Sequence, residues 1–193
     1  MNMKRYWLAY WFVVSSQAFG TMAGKLAPDF VVKDQKGVEH ILKDYQKQNK
    51  TVVLEWTNSN CPYVVDHYER KTMVSTYEAL KGQNVVWLAV NSTHYNKPED
   101  SKAWQSKWGF EFATLQDPAG VVGKKYNART TPHMIVIDSK GTVRYDGAID
   151  DDPSDSKKQK LNYVAQAVSE LNRGAPVSVA TTKPYGCSVK YKK

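Results

Sequence analysis

The stretch Glu55-Trp56-Thr57-Asn58-Ser59-Asn60-Cys61-Pro62-Tyr63-Val64 follows the run Thr51-Val52-Val53-Leu54, and its reading decides the fold. The run reads as a buried strand. Asn58-Ser59-Asn60 reads as a turn. Proline is favoured at the first position of a helix, where its missing N–H would be unsatisfied anyway. Pro62 therefore opens a helix and puts Cys61 at its N-cap. Unpaired backbone N–H groups and the helix dipole favour negative charge there. They stabilise thiolate over thiol: a free cysteine titrates near ~8.5, whereas helix N-terminal cysteines fall to roughly 3.5–7.5. The stretch thus predicts a reactive thiol, with the side chains of the Asn58–Asn60 turn placed to steady a sulfur anion.

The chain has 193 residues, enough for one compact domain with a sizeable core. Its first segment differs from the rest. Lys4 and Arg5 precede the apolar residues 6–14, and Ser16-Gln17-Ala18 offers a small-residue cleavage site. This is the plan of a secretory signal peptide over residues 1–18, with a second possible cut after Ala23. The apolar run is shorter than the ~20 residues that span a bilayer, so no stable membrane insertion is expected, an uncleaved N-terminal anchor being the alternative. Cleavage takes the formal charge from +8 to +6, because Lys4 and Arg5 are lost and no acidic side chain is. The remaining basic residues are scattered, which argues for a solvated surface and against a nucleic-acid partner. Export also permits a disulfide between the two cysteines, Cys61 and Cys187. Two cysteines fall short of a structural zinc site, and no metal or other cofactor is implied.

Residues 30–32 and 38–41 flank the turn Asp34-Gln35-Lys36-Gly37 and predict a hairpin. A strand at 51–56 is followed by one helix over 62–81, with Val65, Tyr68, Met73, Tyr77 and Leu80 inward and Gly82 closing it. Residues 85–90 form a second buried strand, 98–108 a helix carrying Trp104 and Trp108 as core residues, and 121–126 a short helix. Residues 133–138 and 142–145 make two strands about the turn Ser139-Lys140-Gly141, and 157–172 a last helix. Asp150 to Asp155 read as an exposed acidic loop. Residues 174–193 form a tail with little periodicity, expected to be movable. Alternation makes the first strands parallel and the tight turn makes the last pair antiparallel. The fold class is α/β: a thioredoxin fold over residues 25–193, with a central mixed sheet flanked by helices, an N-terminal hairpin and an extended C-terminal tail.

The motifs themselves resemble those of exported, thioredoxin-like redoxins in the AhpC/TSA (peroxiredoxin-related) superfamily. Ala27-Pro28-Asp29-Phe30 is similar to that group's opening. Asn60-Cys61-Pro62-Tyr63-Val64 with His67-Tyr68 resembles its active-site segment. Thr131-Pro132 resembles the cis-proline loop, which faces the cysteine and offers backbone groups to a substrate. Residues 145–151 and Gly186-Cys187-Ser188-Val189-Lys190 resemble the group's later segments. The resemblance implies substrate contacts at Asn60, Pro62, Thr131 and Pro132. Two positions depart from the pattern: Val64 stands where thioredoxins carry a second cysteine, and Asn58 stands where peroxiredoxins carry a threonine.

Several residues carry more than one reading. Cys61 is a nucleophile or a small buried apolar residue. Cys187 is a resolving cysteine that traps oxidised Cys61, a static clamp on the tail, or an isolated thiol. Glu55 lies six residues before Cys61, where thioredoxins hold a buried acid for proton transfer; otherwise it is a strand-end carboxylate reaching water. Arg129 resembles the arginine that peroxiredoxins hold near their thiolate, or is a solvated loop residue. His67 is off the helical stripe of Cys61, which favours a packing or surface role. The expectation is a thiol oxidoreductase that reduces a peroxide or exchanges disulfides with a protein substrate and is supplied with electrons by a reducing protein partner. The alternative is a non-catalytic binding module with a structural Cys61–Cys187 disulfide. A copper-binding role is disfavoured by the missing second cysteine near Cys61.

Overall fold

The computed structural model describes residues 20–154 and 156–192. The expected leader over residues 1–18 lies outside the described residues. The elements run β1 (Val31–Lys33), β2 (Glu39–Ile41), α1 (Leu42–Lys47), β3 (Thr51–Trp56), α2 (Pro62–Glu69), α3 (Thr72–Leu80), β4 (Val85–Asn91) and α4 (Pro98–Trp108). They continue with β5 (Ala113–Gln116), α5 (Val121–Lys125), β6 (Thr130–Thr131), β7 (His133–Ile137), β8 (Val143–Gly147), α6 (Tyr163–Asn172) and β9 (Cys187–Ser188).

The central sheet has the order β5-β4-β3-β7-β8. Its β3–β4 and β4–β5 pairs are parallel, and its β3–β7 and β7–β8 pairs are antiparallel. All six residues of β3 are buried, as a central strand covered on both faces requires. Alternation divides them. Val53 packs with Val64, Tyr68, Met73, Trp104 and Val168, against helices α2, α3, α4 and α6. Val52, Leu54 and Trp56 pack on the other face with Leu42, Val122 and Tyr126. This is the mixed α/β thioredoxin fold that the strand and helix order predicts.

The structure differs from the sequence reading in several places. The helix expected over 62–81 is two helices. Lys71 adopts a left-handed conformation at φ 59° and re-aims the chain, so Tyr68 and Met73, five residues apart, both bury completely. The last helix starts at Tyr163 rather than 157, because the Asn162 side chain accepts the Ala165 N–H at 2.8 Å and caps it there. The acidic loop is only partly solvated: Pro153 and Ser154 are exposed, but Asp150 and Asp152 are buried. Asp152 accepts the N–H groups of Ser156 and Lys157, both at 2.9 Å, and so folds the chain that leads into α6. Helix α1 and strands β5, β6 and β9 lie outside the expectation, being too short for their periodicity to register.

The tail is also not loose. Thr182 Oγ1 lies 2.6 Å from the Tyr145 hydroxyl and accepts the Ala148 N–H at 2.9 Å. Ser178 donates its N–H and hydroxyl to Glu170. Val189 joins the second core, and the Tyr191 hydroxyl donates to the Ala128 carbonyl at 2.8 Å. A Cβ on Gly147 would stand 2.2 Å from Thr182 Oγ1, so the tail runs directly over β8 only because residue 147 has no side chain.

Candidate active site

Cys61 is the N-cap of α2, with extended φ and ψ of −89° and 119° and Pro62 in the first turn. The turn before it is self-supporting. Cys61 N–H donates to the Asn58 carbonyl at 2.9 Å, and Asn60 N–H donates to Asn58 Oδ1 at 2.9 Å. The Cys61 carbonyl accepts the first helical bond, from Val65 N–H, at 2.9 Å. These bonds hold the sulfur at the positive end of the helix. Pro62 and Asn60 are exposed beside it, whereas Cys61 itself is 1% exposed. A 330 Å³ groove runs alongside, lined by the Asn58–Asn60 turn, Tyr95 and the Trp104 face of α4.

Cys61 is disulfide-bonded to Cys187, with their Cα atoms 6.0 Å apart, inside the usual range. The Cys61 sulfur also lies 3.0 Å from the Thr131 carbonyl oxygen. The Thr131–Pro132 peptide is cis. Strand β6, just before it, pairs antiparallel with β9, in the register Thr130 to Ser188 and Thr131 to Cys187. Four of the residues named from sequence, Cys61, Cys187, Thr131 and Pro132, therefore converge. Val64, at the second-cysteine position, is fully buried in the core.

Glu55 lies on the face of β3 that carries α2 and is completely buried. It accepts the Tyr68 hydroxyl at 3.0 Å and Trp87 Nε1–H at 2.9 Å. Burial pushes its carboxyl up to about 7 despite these bonds. The reading of Glu55 as a strand-end group reaching water is thereby set aside. Arg129 is exposed; its N–H donates to His133 Nδ1 at 3.4 Å and its carbonyl accepts Val189 N–H at 2.9 Å. It lines a 740 Å³ cleft with the buried pair His133–Asp146, which meet at 2.7 Å.

A buried cluster beside the disulfide escaped the sequence reading. His67, on α2, is fully buried. Its Nε2 is 3.0 Å from the Tyr185 hydroxyl, and its Nδ1 is 4.0 Å from Asp150 Oδ2. The Tyr185 hydroxyl also donates to Asp150 Oδ1. Helical spacing carried no information about the tail residue Tyr185 that packs on His67. Among the described residues, no three His, Cys, Asp or Glu side chains group as metal ligands would, and no helix is long and apolar enough to cross a membrane.

A cysteine at the N-cap of the helix that follows the central strand, facing a cis-proline peptide, defines a thioredoxin-like redoxin. Residues 23–146 match the AhpC/TSA family, and the chain belongs to that family. It is 34% identical over 122 residues to the thiol-disulfide oxidoreductase ResA of Geobacillus kaustophilus HTA426, a match covering 63% of this chain and 66% of that one. The chain thus spans just under two thirds of that curated relative's length. Among solved structures it resembles a hypothetical protein from Sinorhizobium meliloti 1021, with a TM-score of 0.78 and 25% identity over 88% of this chain and 94% of that one. A conserved protein from Geobacillus kaustophilus is similar, with a TM-score of 0.77 and 25% identity over 88% and 92% of the two chains.

Proposed function

We propose that the chain is a thiol-disulfide oxidoreductase whose redox pair is Cys61 and Cys187, the tail cysteine replacing the one absent at Val64. The observation that carries this reading is the disulfide between the N-cap cysteine and a strand paired beside cis-Pro132. In the reduced protein, Cys61 thiolate attacks one sulfur of a substrate disulfide and expels the other as thiolate. Cys187 then attacks the Cys61 sulfur, releases the substrate as a dithiol and leaves Cys61–Cys187 oxidised. A reducing protein dithiol returns the two electrons. Glu55, whose carboxyl burial raises to about 7, supplies or takes the proton from the same face of the sheet. Arg129 is assigned the secondary role of adding positive charge at the cis-proline strand.

Exchange is favoured over peroxide reduction by the state of Asn58. It stands where a peroxidase carries a threonine hydroxyl, is buried, and commits its side-chain oxygen to Asn60 N–H. The similarity to a thiol-disulfide oxidoreductase agrees. Export, read from the leader, places the disulfide in an oxidising compartment. The second reading, a static staple, draws support from the contacts that tie the tail on either side of Cys187. Stopped-flow mixing of reduced protein with a disulfide-bonded protein substrate and, separately, with hydrogen peroxide tests all three. Rapid loss of both thiols with the protein disulfide, abolished in Cys61→Ser, is the expected result. Rapid reaction with peroxide alone favours the peroxidase. Inertness toward both leaves the staple.

A further inference from the structure

The way the tail lies beside Cys61 says what kind of partner the site takes, given the proposed exchange reaction. Strand β9 lies on β6 as an extended peptide, through the Thr130–Ser188 and Thr131–Cys187 pairs and the Val189 N–H to Arg129 carbonyl bond of 2.9 Å. Each neighbouring residue of the tail has its own seat. Gly186 has φ of 136°, and a Cβ there would stand 2.1 Å from the Thr131 carbonyl oxygen, so only glycine allows the strand to approach. Tyr185 sits in a notch on the outer face of α2. Its ring centroid is 6.1 Å from that of Tyr63 and 5.8 Å from that of His67, residues one helical turn apart. Its hydroxyl meets His67 Nε2 and the buried Asp150 carboxylate. Val189, two residues beyond the cysteine, buries in the second core.

These contacts are made by a segment that must move. Cys61 cannot form a mixed disulfide with a substrate while Cys187 is bonded to it, and Thr131, whose backbone the substrate would use, is already paired with Cys187. We propose that the Tyr63–His67–Asp150 notch extends the cis-proline edge at β6 into a site that selects the docked polypeptide by the residues before its cysteine. The partner is a protein segment carrying a cysteine, a glycine directly before it and a hydroxylated aromatic residue before that. The chain's own Tyr185-Gly186-Cys187 is the resident occupant of this edge in the oxidised state. In the reduced state a partner strand takes its place, and the sulfur exchange described above proceeds on the partner's cysteine.

The test uses the full chain carrying Cys187→Ser, so that Cys61 is the one thiol present, and synthetic peptides of residues 183–190 activated at the cysteine as a mixed disulfide with thionitrobenzoate. Release of the chromophore reads the rate of capture. Peptide substitutions leave the protein's folding untouched. Hydrogen bonds to charged groups support an expected loss of about tenfold for the Tyr185→Phe peptide. The Gly186→Ala peptide and a scrambled peptide should be slower still. The chain variant Tyr185→Phe with Cys187→Ser should capture the unaltered peptide faster than Cys187→Ser alone, because its own tail competes less well. Rates within twofold for all peptides would overturn the docking edge while leaving Cys61 chemistry intact. No reaction of Cys61 with any activated peptide or with Ellman's reagent would instead overturn the exchange reading. A Cys61–Cys187 disulfide joining two copies of the wild-type chain, with no capture of the peptides, would make a second copy the occupant and refute the partner proposed.

Discussion

Replacing Glu55 with Gln should remove a pH dependence of stability that the wild-type chain carries in its core. Glu55 is fully buried, and burial raises its carboxyl from the ordinary 4.5 to about 7. Between those values the folded protein holds a proton that the unfolded chain has released. Raising the pH through that window therefore costs stability. Below it both states are protonated and nothing is lost; above about 7 both are ionised and the loss is complete. At about 1.4 kcal/mol per pH unit, the window corresponds to roughly 3 kcal/mol. Gln has nearly the same shape. Its oxygen can still accept Trp87 Nε1–H, and its amide can donate to the Tyr68 oxygen, the hydroxyl turning to suit. The assay is urea unfolding of the oxidised protein at pH 4.5, 6 and 8, for wild type and Glu55→Gln. Other titrating groups are common to both chains and cancel in the difference. The variant should match wild type at pH 4.5 and exceed it at pH 8 by about 3 kcal/mol. A difference that stays constant with pH, or one that favours wild type as pH rises, would refute the reasoning.

Three further outcomes are expected. Cys61→Ser, Cys187→Ser and the double variant should each lower the urea midpoint equally, because all three open the same 126-residue loop, worth up to about 5 kcal/mol in the chain-entropy model; additive losses would show that the two sulfurs act separately. In reduced Cys187→Ser, the rate of Cys61 alkylation against pH should inflect below the free-thiol value of ~8.5, since the helix N-terminus stabilises the thiolate; an inflection at or above that value removes the nucleophile. Gly147→Ala puts a Cβ 2.2 Å from Thr182 Oγ1 and 2.8 Å from the Thr182 backbone nitrogen, so it should push the tail off β8 and destabilise by about 1–3 kcal/mol, with faster amide exchange at residues 180–182.

The parts of this protein legible in the sequence are those set by local pattern. The Thr51–Trp56 run, the Asn-rich turn and Cys61-Pro62 each encode strand, turn and helix start within a few residues, and the structure places Cys61 at that N-cap. Helix 98–108 was readable for the same reason, with Pro98 at its start and Gly109 at its end. What escaped depends on contacts between distant residues. Lys71 turns left-handed so that Tyr68 and Met73 can bury together, a tertiary demand that the helical spacing of residues 62–81 does not express. Asp150 and Asp152 are acidic and lie in the run that ends at Pro153, so they read as surface, yet they satisfy backbone N–H groups and the Tyr185 hydroxyl inside the fold. The tail lacks periodicity because successive residues pack on different surfaces: Thr182 on β8, Tyr185 on α2, Val189 in the second core.

Placing the second cysteine on the tail instead of at position 64 changes what the disulfide is coupled to. A bond between residues 61 and 64 would close one helical turn and constrain little of the unfolded chain. The bond between Cys61 and Cys187 spans 126 residues, so it removes far more freedom from the unfolded state. Linkage is reciprocal: whatever free energy the disulfide adds to folding, folding adds to the disulfide. Every contact that seats the tail, from Tyr185 in its notch to Val189 in the core, therefore favours the oxidised pair insofar as it is weaker in the reduced protein. A reductant must work against that bias. A partner strand that occupies β6 opposes it directly, because it binds only the state in which the tail has left and shifts the population by its differential affinity for that state. Electron flow through Cys61 would then be controlled less by the chemistry of two thiols than by competition between two strands for Thr130 and Thr131.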